Sequence, residues 1–310
     1  MLLKEFPDIQ WLKNQIKNNF ENKKGWGNRR LSTDGWPTVV LNTKAKDAER
    51  TDILGPFSIF TNISGSSKIG VENRRVTVND ACFVVSNNEQ YYDLLINNSG
   101  KTETFNIHLG NDFCQQAWTS LRKDDGTLLD DPGSNSDMDH FYFRSLPRDE
   151  TFNALVKKIQ YGYSDDQAEN EELLLELFNY VCSLNSKEVK LESNLDAVKL
   201  STRNELLQRL YLGRDYMHGN FHCDINLDDI ATQANLSKFH FLRLFKQVFK
   251  VSPHQYIKKL RIQKAKELIR QTDKRVSTIA LEVGLENGSS LSRLLYKSTG
   301  KYPQTMRLIN

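Results

Sequence analysis

Apolar residues recur along this chain with two different periods, and the change from one to the other divides it. Between residues 38 and 109, short apolar runs alternate with turn residues. Segments 38–41, 57–63, 68–71, 76–78, 81–86, 91–96 and 104–109 read as strands. Clusters such as Gly65-Ser66-Ser67, Asn79-Asp80, Ser86-Asn87-Asn88 and Asn97-Asn98-Ser99-Gly100 separate them. Short strands with such turns at close intervals predict an antiparallel barrel or sandwich. Ahead of it, Phe6, Ile9, Leu12, Ile16 and Phe20 fall at helical spacing. After Pro147 the helical period returns: Phe152, Leu155, Val156 and Ile159 lie at i, i+3, i+4 and i+7, and Leu174, Leu177, Phe178 and Val181 form a second stripe. An αα-hairpin is expected here, joined through the acidic stretch 165–172. It either packs on the sheet or pairs with its twin. The acidic, Gly/Ser-rich residues 124–140 read as a solvated loop, and the polar residues from 184 to about 200 as a linker.

The last hundred residues repeat themselves. Ile230-Ala231 returns as Ile279-Ala280 at an offset of 49, while Arg243-Leu244-Phe245 returns as Arg293-Leu294-Leu295 and Pro253 as Pro303 at an offset of 50. The turn of the second copy therefore holds one extra residue. Each copy reads as a helix, a tight turn and a second helix. Asn226 with Asp229 makes a capping-box-like start, and Ser237 caps the next helix. In that helix Phe241, Leu244, Phe245 and Val248 form an inward stripe, whereas Phe239, Leu242, Arg243 and Lys246 share another face. A cation flanked by exposed apolar groups suits a major groove, where Arg forks onto guanine and apolar atoms meet thymine methyls. In the second copy Leu291, Leu294 and Leu295 are expected inward, with Ser289, Ser292, Arg293 and Tyr296 outward. Between the copies, Ser252-Pro253 opens a long helix. Such a helix would set two readers at a fixed separation, about 34 Å for successive major grooves.

Charge sharpens this picture. Residues 201–310 carry 19 Lys and Arg against 9 Asp and Glu, a net of +10, while the first 200 carry 23 against 30, a net of −7. A cationic domain concentrates near a polyanion and gains by releasing its counterions. A length of 310 residues suits two compact domains. The four cysteines, Cys82, Cys114, Cys182 and Cys223, form no CxxC pair and read as reduced thiols. The opening residues lack a signal-peptide pattern, and no apolar run spans a bilayer, so a cytoplasmic protein without a membrane partner is expected.

The stretch from Ile230-Ala231 through Leu236-Ser237, Arg243-Leu244-Phe245-Lys246, Ser252-Pro253-His254-Gln255-Tyr256, Leu260-Arg261, Ala265 and Leu268-Ile269 resembles the AraC/XylS regulators. The resemblance continues through Val276, Ile279-Ala280, Gly284, Ser292-Arg293 and Pro303, and covers about a third of the chain. It implies double-stranded DNA as the partner, read by the second helix of each unit. Those positions are Phe239, Leu242, Arg243 and Lys246 here, and Gly288, Ser289, Ser292 and Arg293 in the second unit. The second unit departs from the family pattern: leucines stand at 285, 291 and 295 where aromatics are usual, and Gly288 opens the reading helix. Its helix is thus expected to grip phosphates more than bases.

The resemblance also implies an α+β protein, with a cupin-like antiparallel β-barrel or sandwich, a helical hairpin and an all-α double helix-turn-helix domain. The expected boundaries are 1–146 for effector sensing, 147–183 for a dimerising hairpin, 184–202 for a linker and 203–310 for DNA binding. A small organic effector, a homodimer and a contact with RNA polymerase complete the implied partners. Trp26, Trp36, Tyr91, Tyr92 and His108 are the candidate ligand-binding residues. No catalytic residue, metal ligand or cofactor is expected. A cupin metal set needs two closely spaced histidines, and His108 is the one histidine of the strand region. His218 and His222 are four apart, but Gly219-Asn220 between them reads as a polar helix end. Two rival readings stand beside the effector-controlled regulator: a regulator whose barrel only assembles, and a cupin-type enzyme with a DNA-binding appendage.

Overall fold

The structure, a computed structural model, describes residues 1–21, 35–122, 138, 140–195 and 200–307. It divides into two compact units, Met1–Lys187 and Glu188–Asn310. Trp26 and nearly all of the acidic 124–140 segment lie outside the described residues.

The first unit is built on one nine-stranded sheet. In chain order it runs β1 (Leu2–Leu3), α1 (Ile9–Glu21), β2 (Val39–Gly55), β3 (Phe57–Phe60), β4 (Asn62–Ser64), β5 (Ser67–Val71), β6 (Arg74–Val78), β7 (Cys82–Ser86), β8 (Gln90–Leu109), α2 (Asn111–Arg122) and β9 (Ser145–Pro147). Two helices follow, α3 (Glu150–Gly162) and α4 (Gln167–Glu192). The main path is β1-β2-β8-β3-β7-β9, with β4 and β5 also paired to β8 and β6 paired to β5. All pairs are antiparallel except β1 with β2. The expected barrel-like antiparallel sheet is present, with β8 as its hub.

Both long strands exceed the segments that the apolar pattern marks. β2 continues through the polar residues 42–52 because it is held by pairing along β8, not by burial of both faces. β8 runs through Asn97–Gly100, the expected turn. The pairing passes from Ala45 opposite Thr102 to Asp47 opposite Asn97, so residues 98–101 bulge against the single residue Lys46. An excursion of four residues keeps the period of two in phase. Even-numbered residues of β8 therefore face inward on both sides of it: Tyr92, Leu94 and Ile96 join Phe60, Ile69, Val71, Val76, Val78, Val84 and Phe143 in the inner core.

The outer face of the sheet is apolar as well, and helices cover it. Val40, Phe57, Ile59, Phe83, Phe105 and Ile107 pack with Trp118, Phe152, Val156 and Ile159. Phe83 stacks on Phe152 at 4.0 Å, and Phe178 meets Phe57 edge-on at 5.5 Å. Leu174, Leu177, Phe178 and Val181 are each no more than 2 % exposed within this core. The stripe put forward as a dimer surface is thus consumed by the sheet, which needs it to cover Phe57 and its neighbours. Two further expectations shift. The hairpin connection is shorter than residues 165–172, since α4 already starts at Gln167, and the polar residues 184–192 are helical.

The second unit is helical: α5 (Leu200–Asn220), α6 (Leu227–Gln233), α7 (Lys238–Phe249), α8 (Pro253–Gln271), α9 (Val276–Glu282), α10 (Gly288–Thr299) and α11 (Pro303–Arg307). α8 begins on a Ser252–Gln255 capping box with Pro253 in its first turn, and its 19 residues rise about 28 Å. Tyr256 at its start packs on Phe245 and Phe249 of the first repeat. Ala265 and Ile269 near its end belong to the core of the second repeat. Among the described residues no helix is long and apolar enough to cross a membrane.

Candidate functional site

The two repeats share one backbone device. α6 ends at Ala234, Asn235 turns left-handed (φ 50°), and the Leu236 amide donates back to the Ala231 carbonyl at 3.0 Å. α9 ends at Val283, Gly284 turns left-handed (φ 78°), and the Leu285 amide donates to the Ala280 carbonyl at 2.8 Å. This closure satisfies carbonyls that a helix end leaves unpaired, and it sets the angle of the next helix. Ala231 and Ala280 are buried at the crossing, where a larger side chain would push the helices apart. The inserted residue of the second turn is Glu286, ahead of the cap Asn287, whose side chain accepts from the Ser290 amide at 2.9 Å. Asn226 and Asp229 form the expected capping box. Ser237 stands at the N-cap of α7, but its hydroxyl makes no capping bond.

On α7, Phe241, Leu244, Phe245 and Val248 are buried, as their spacing predicts. The opposite face carries Phe239, 79 % exposed, the half-buried Leu242 and the exposed Arg243 and Lys246. Burial of one stripe thus fixes which residues α7 presents. On α10, Leu291 and Leu295 are buried while Leu294 is only half-buried. Ser289 and Arg293 are exposed, Tyr296 is exposed and stacked on Tyr302 at 4.6 Å, and Ser292 donates its hydroxyl to the Gly288 carbonyl. A Cβ on Gly288 would lie 3.2 Å from the Ser277 backbone nitrogen. Gly288 is therefore an approach point between α9 and α10, a packing reason for a residue that first reads as a missing base contact.

The cations of this unit fall into two groups. Arg214 is paired with Glu188 at 2.6 Å, Arg261 donates to the Phe221 and Cys223 carbonyls, Lys274 pairs with Glu282 and Lys238 with Asp228. Arg243, Lys246, Lys258, Lys259, Arg293 and Lys297 have no such partner among the described residues. Cations without internal acids are the ones available to phosphates and bases. His218 is buried and hydrogen-bonds through Nε2 to the Tyr256 hydroxyl at 2.7 Å, whereas His222 is exposed, so the pair does not converge.

In the first unit a cavity of about 340 Å³ lies between α1 and the inner face of the sheet. Of the candidate ligand residues, Trp36, Tyr92 and His108 line it. Tyr91 does not: it is 55 % exposed, because neighbouring strand residues point to opposite faces. The sequence reading missed Trp11 and Leu12 of α1, Arg50 and Asp52 of β2, and Asn106, which sits two residues from His108 on the same face of β8. That period-of-two spacing was the available signal. Ser58, opposite His108 in the β3–β8 register, lies 2.8 Å from His108 Nδ1 and donates its own proton to the Pro56 carbonyl at 2.7 Å. Burial pushes the His108 pKa down to about 4, so the ring is neutral near pH 7.

Residues 230–308 match the family described as a helix-turn-helix domain. The MmsAB operon regulatory protein of Pseudomonas aeruginosa is 33 % identical over 92 residues, covering 30 % of this chain and 30 % of that protein. The bifunctional transcriptional activator and DNA repair enzyme AdaA of Bacillus subtilis is 31 % identical over 93 residues, covering 30 % of this chain and 44 % of that one. Among solved structures, an AraC-type transcriptional regulator from Chromobacterium violaceum matches 33 % of this chain and 91 % of its own at 28 % identity, with a TM-score of 0.32. The chain spans less than half the length of the two curated relatives.

Proposed function

We propose that this chain, whose C-terminal part is a helix-turn-helix domain of the AraC type, is a sequence-specific DNA-binding transcription regulator controlled by a small organic ligand in its N-terminal barrel. The observation that carries the DNA-binding reading is the duplicated unit. Two helix-turn-helix repeats, closed by the same backbone turn, each expose a helix face with arginine on it and no acidic partner for that arginine among the described residues. α7 is the base reader, through Phe239, Leu242 and Arg243, with Lys246 toward phosphate. α10 supplies Ser289, Ser292 and Arg293, while Gly288 serves packing. The barrel is a sensor in this reading, with Asn106 and the neutral imidazole of His108 as the buried polar groups of its cavity.

A homodimer and a contact with RNA polymerase belong to the same reading, with the dimer surface elsewhere than the buried 174–181 stripe. Sedimentation of the full chain tests the dimer. The experiment for DNA binding is selection from a pool of random duplexes, followed by titration of the winning duplex at rising salt. Enrichment of a defined site, with affinity falling steeply in salt, is the expected result. Recovery of an unenriched pool would sink the proposal.

A further inference from the structure

Two polar side chains on the cavity wall are almost wholly buried and keep hydrogen-bonding atoms that the protein does not use. Asn106 is 2 % exposed and His108 4 %, both on the inward face of β8. Neither the Asn106 amide nor His108 Nε2 has a hydrogen-bond partner among the described residues, and the Tyr92 hydroxyl beside them has none either. An amide facing the cavity without a protein partner is free to pair with a ligand there. The rest of the wall is mainly apolar, from Trp11 and Leu12 on α1 to Leu41, Phe60 and Leu94 on the sheet. The cavity volume is at the lower end for small-molecule sites, about 300–1,000 Å³.

The orientation of the imidazole follows from one hydrogen. Ser58 has a single hydroxyl proton, and the Pro56 carbonyl can only accept, so that proton goes to Pro56. His108 Nδ1 must then donate to Ser58 Oγ, which leaves Nε2 as a bare acceptor. Two charged groups line the cavity as well: Arg50, half-buried over the Phe6 ring, and Asp52, which is exposed. A carboxylate placed against Nε2 would meet a lone pair instead of a donor.

Building on the sensor reading above, we propose that this cavity takes a mainly apolar organic molecule with a neutral hydroxyl head. The ligand O–H donates to His108 Nε2, and its oxygen accepts from the Asn106 amide nitrogen. Ser58 is a positioning residue, acting through the tautomer it imposes.

Two probes of matched shape test this with the full chain: 4-butylphenol and 4-butylbenzoate, titrated calorimetrically at pH 7.5. The expected result is saturable phenol binding and benzoate binding at least tenfold weaker. Asn106→Leu should weaken the phenol at least fivefold, and Ser58→Ala should narrow the phenol–benzoate gap by freeing the ring to present an N–H. Thermal unfolding without ligand identifies a variant that fails to fold, in which case the wild-type comparison decides alone. Equal or tighter benzoate binding, no phenol binding, or a folded Asn106→Leu with unchanged phenol affinity would each overturn the proposal. Repeating the phenol titration on a selected duplex separates the two readings. Phenol preference without any change in DNA affinity upholds the head-group assignment and removes the sensor role.

Discussion

Arg243 and Arg293 occupy matching places in the two repeats, yet their neighbours differ. Arg243 sits between the exposed ring of Phe239 and the half-buried Leu242, so a guanine contact can be framed by apolar contacts to adjacent bases. Arg293 sits among Ser289, Ser292 and the Tyr296–Tyr302 stack, and Ser292 already spends its proton on the Gly288 carbonyl. Arg243→Ala should therefore cost about 1–3 kcal/mol on the preferred duplex and relax selection at one or two positions. Arg293→Ala should weaken binding to all duplexes alike. Selection from random duplexes with each variant checks this, and equal loss of specificity from both would erase the asymmetry. His108 makes a second residue-scale prediction. Its pKa is about 4 when folded, against 6.5 for an unperturbed histidine. Above pH 6.5 both states are neutral; as pH falls from 6.5 to 4, the unfolded chain binds a proton that the folded one refuses. Stability should fall through that window by about 3 kcal/mol from this group alone, then level off. Urea unfolding at pH 7 and pH 4.5 should show a smaller pH difference for His108→Gln than for wild type.

At the scale of elements, α5 contains a glycine where helix propensity argues for alanine. A Cβ on Gly213 would come within 2.5 Å of the Phe241 ring and 3.3 Å of Ile230, so this position sets how closely α5 approaches α6 and α7. Alanine in an ordinary helix interior gains about 1 kcal/mol over glycine. Here Gly213→Ala should instead destabilise by about 1–3 kcal/mol through overpacking, which chemical denaturation measures. The elements most legible in the sequence were those whose apolar residues recur on one face. Phe241, Leu244, Phe245 and Val248 place α7, and the hairpin stripes place α3 and α4, because burial and periodicity coincide there. What the pattern could not mark was structure held by pairing or by chain order. The polar half of β2 carries no apolar run and is a strand only because β8 lies beside it. Asn97–Gly100 has turn composition, but its excursion stays inside β8 because the flanking residues remain paired to β2. The stripe at 174–181 was visible, while its occupant, the outer face of the sheet, was not. At the cavity, Trp36, Tyr92 and His108 were found by residue type; Asn106 required knowing which face of β8 is inward.

For the whole molecule, the charge division sets one end against the other: the net +10 of residues 201–310 favours DNA, while the net −7 of the first 200 opposes it. The structural border between the units falls at Lys187/Glu188, earlier than the change in composition suggests. The reason is chemical. Arg214 is only 1 % exposed and lies over the rings of Tyr211 and Phe249, where its charge needs a counter-ion. Glu188, on α4, supplies it at 2.6 Å, and Glu192 accepts a hydrogen bond from the buried Tyr211 hydroxyl. The last turns of α4 thus belong to the second unit although their sequence reads as linker. A fragment of residues 184–310 should fold and bind the selected duplex with steep salt dependence. A fragment of residues 203–310 keeps both helix-turn-helix repeats but lacks the Glu188 carboxylate that pairs with Arg214 and the Glu192 acceptor of the Tyr211 hydroxyl. It should be the less stable of the two, with a melting point lower by several degrees, and it should bind poorly at 37 °C despite holding every proposed base contact. Circular dichroism melts and duplex titration of both fragments compare them directly. Equal stability would mean that the Glu188 contact is dispensable and that the border belongs near residue 203.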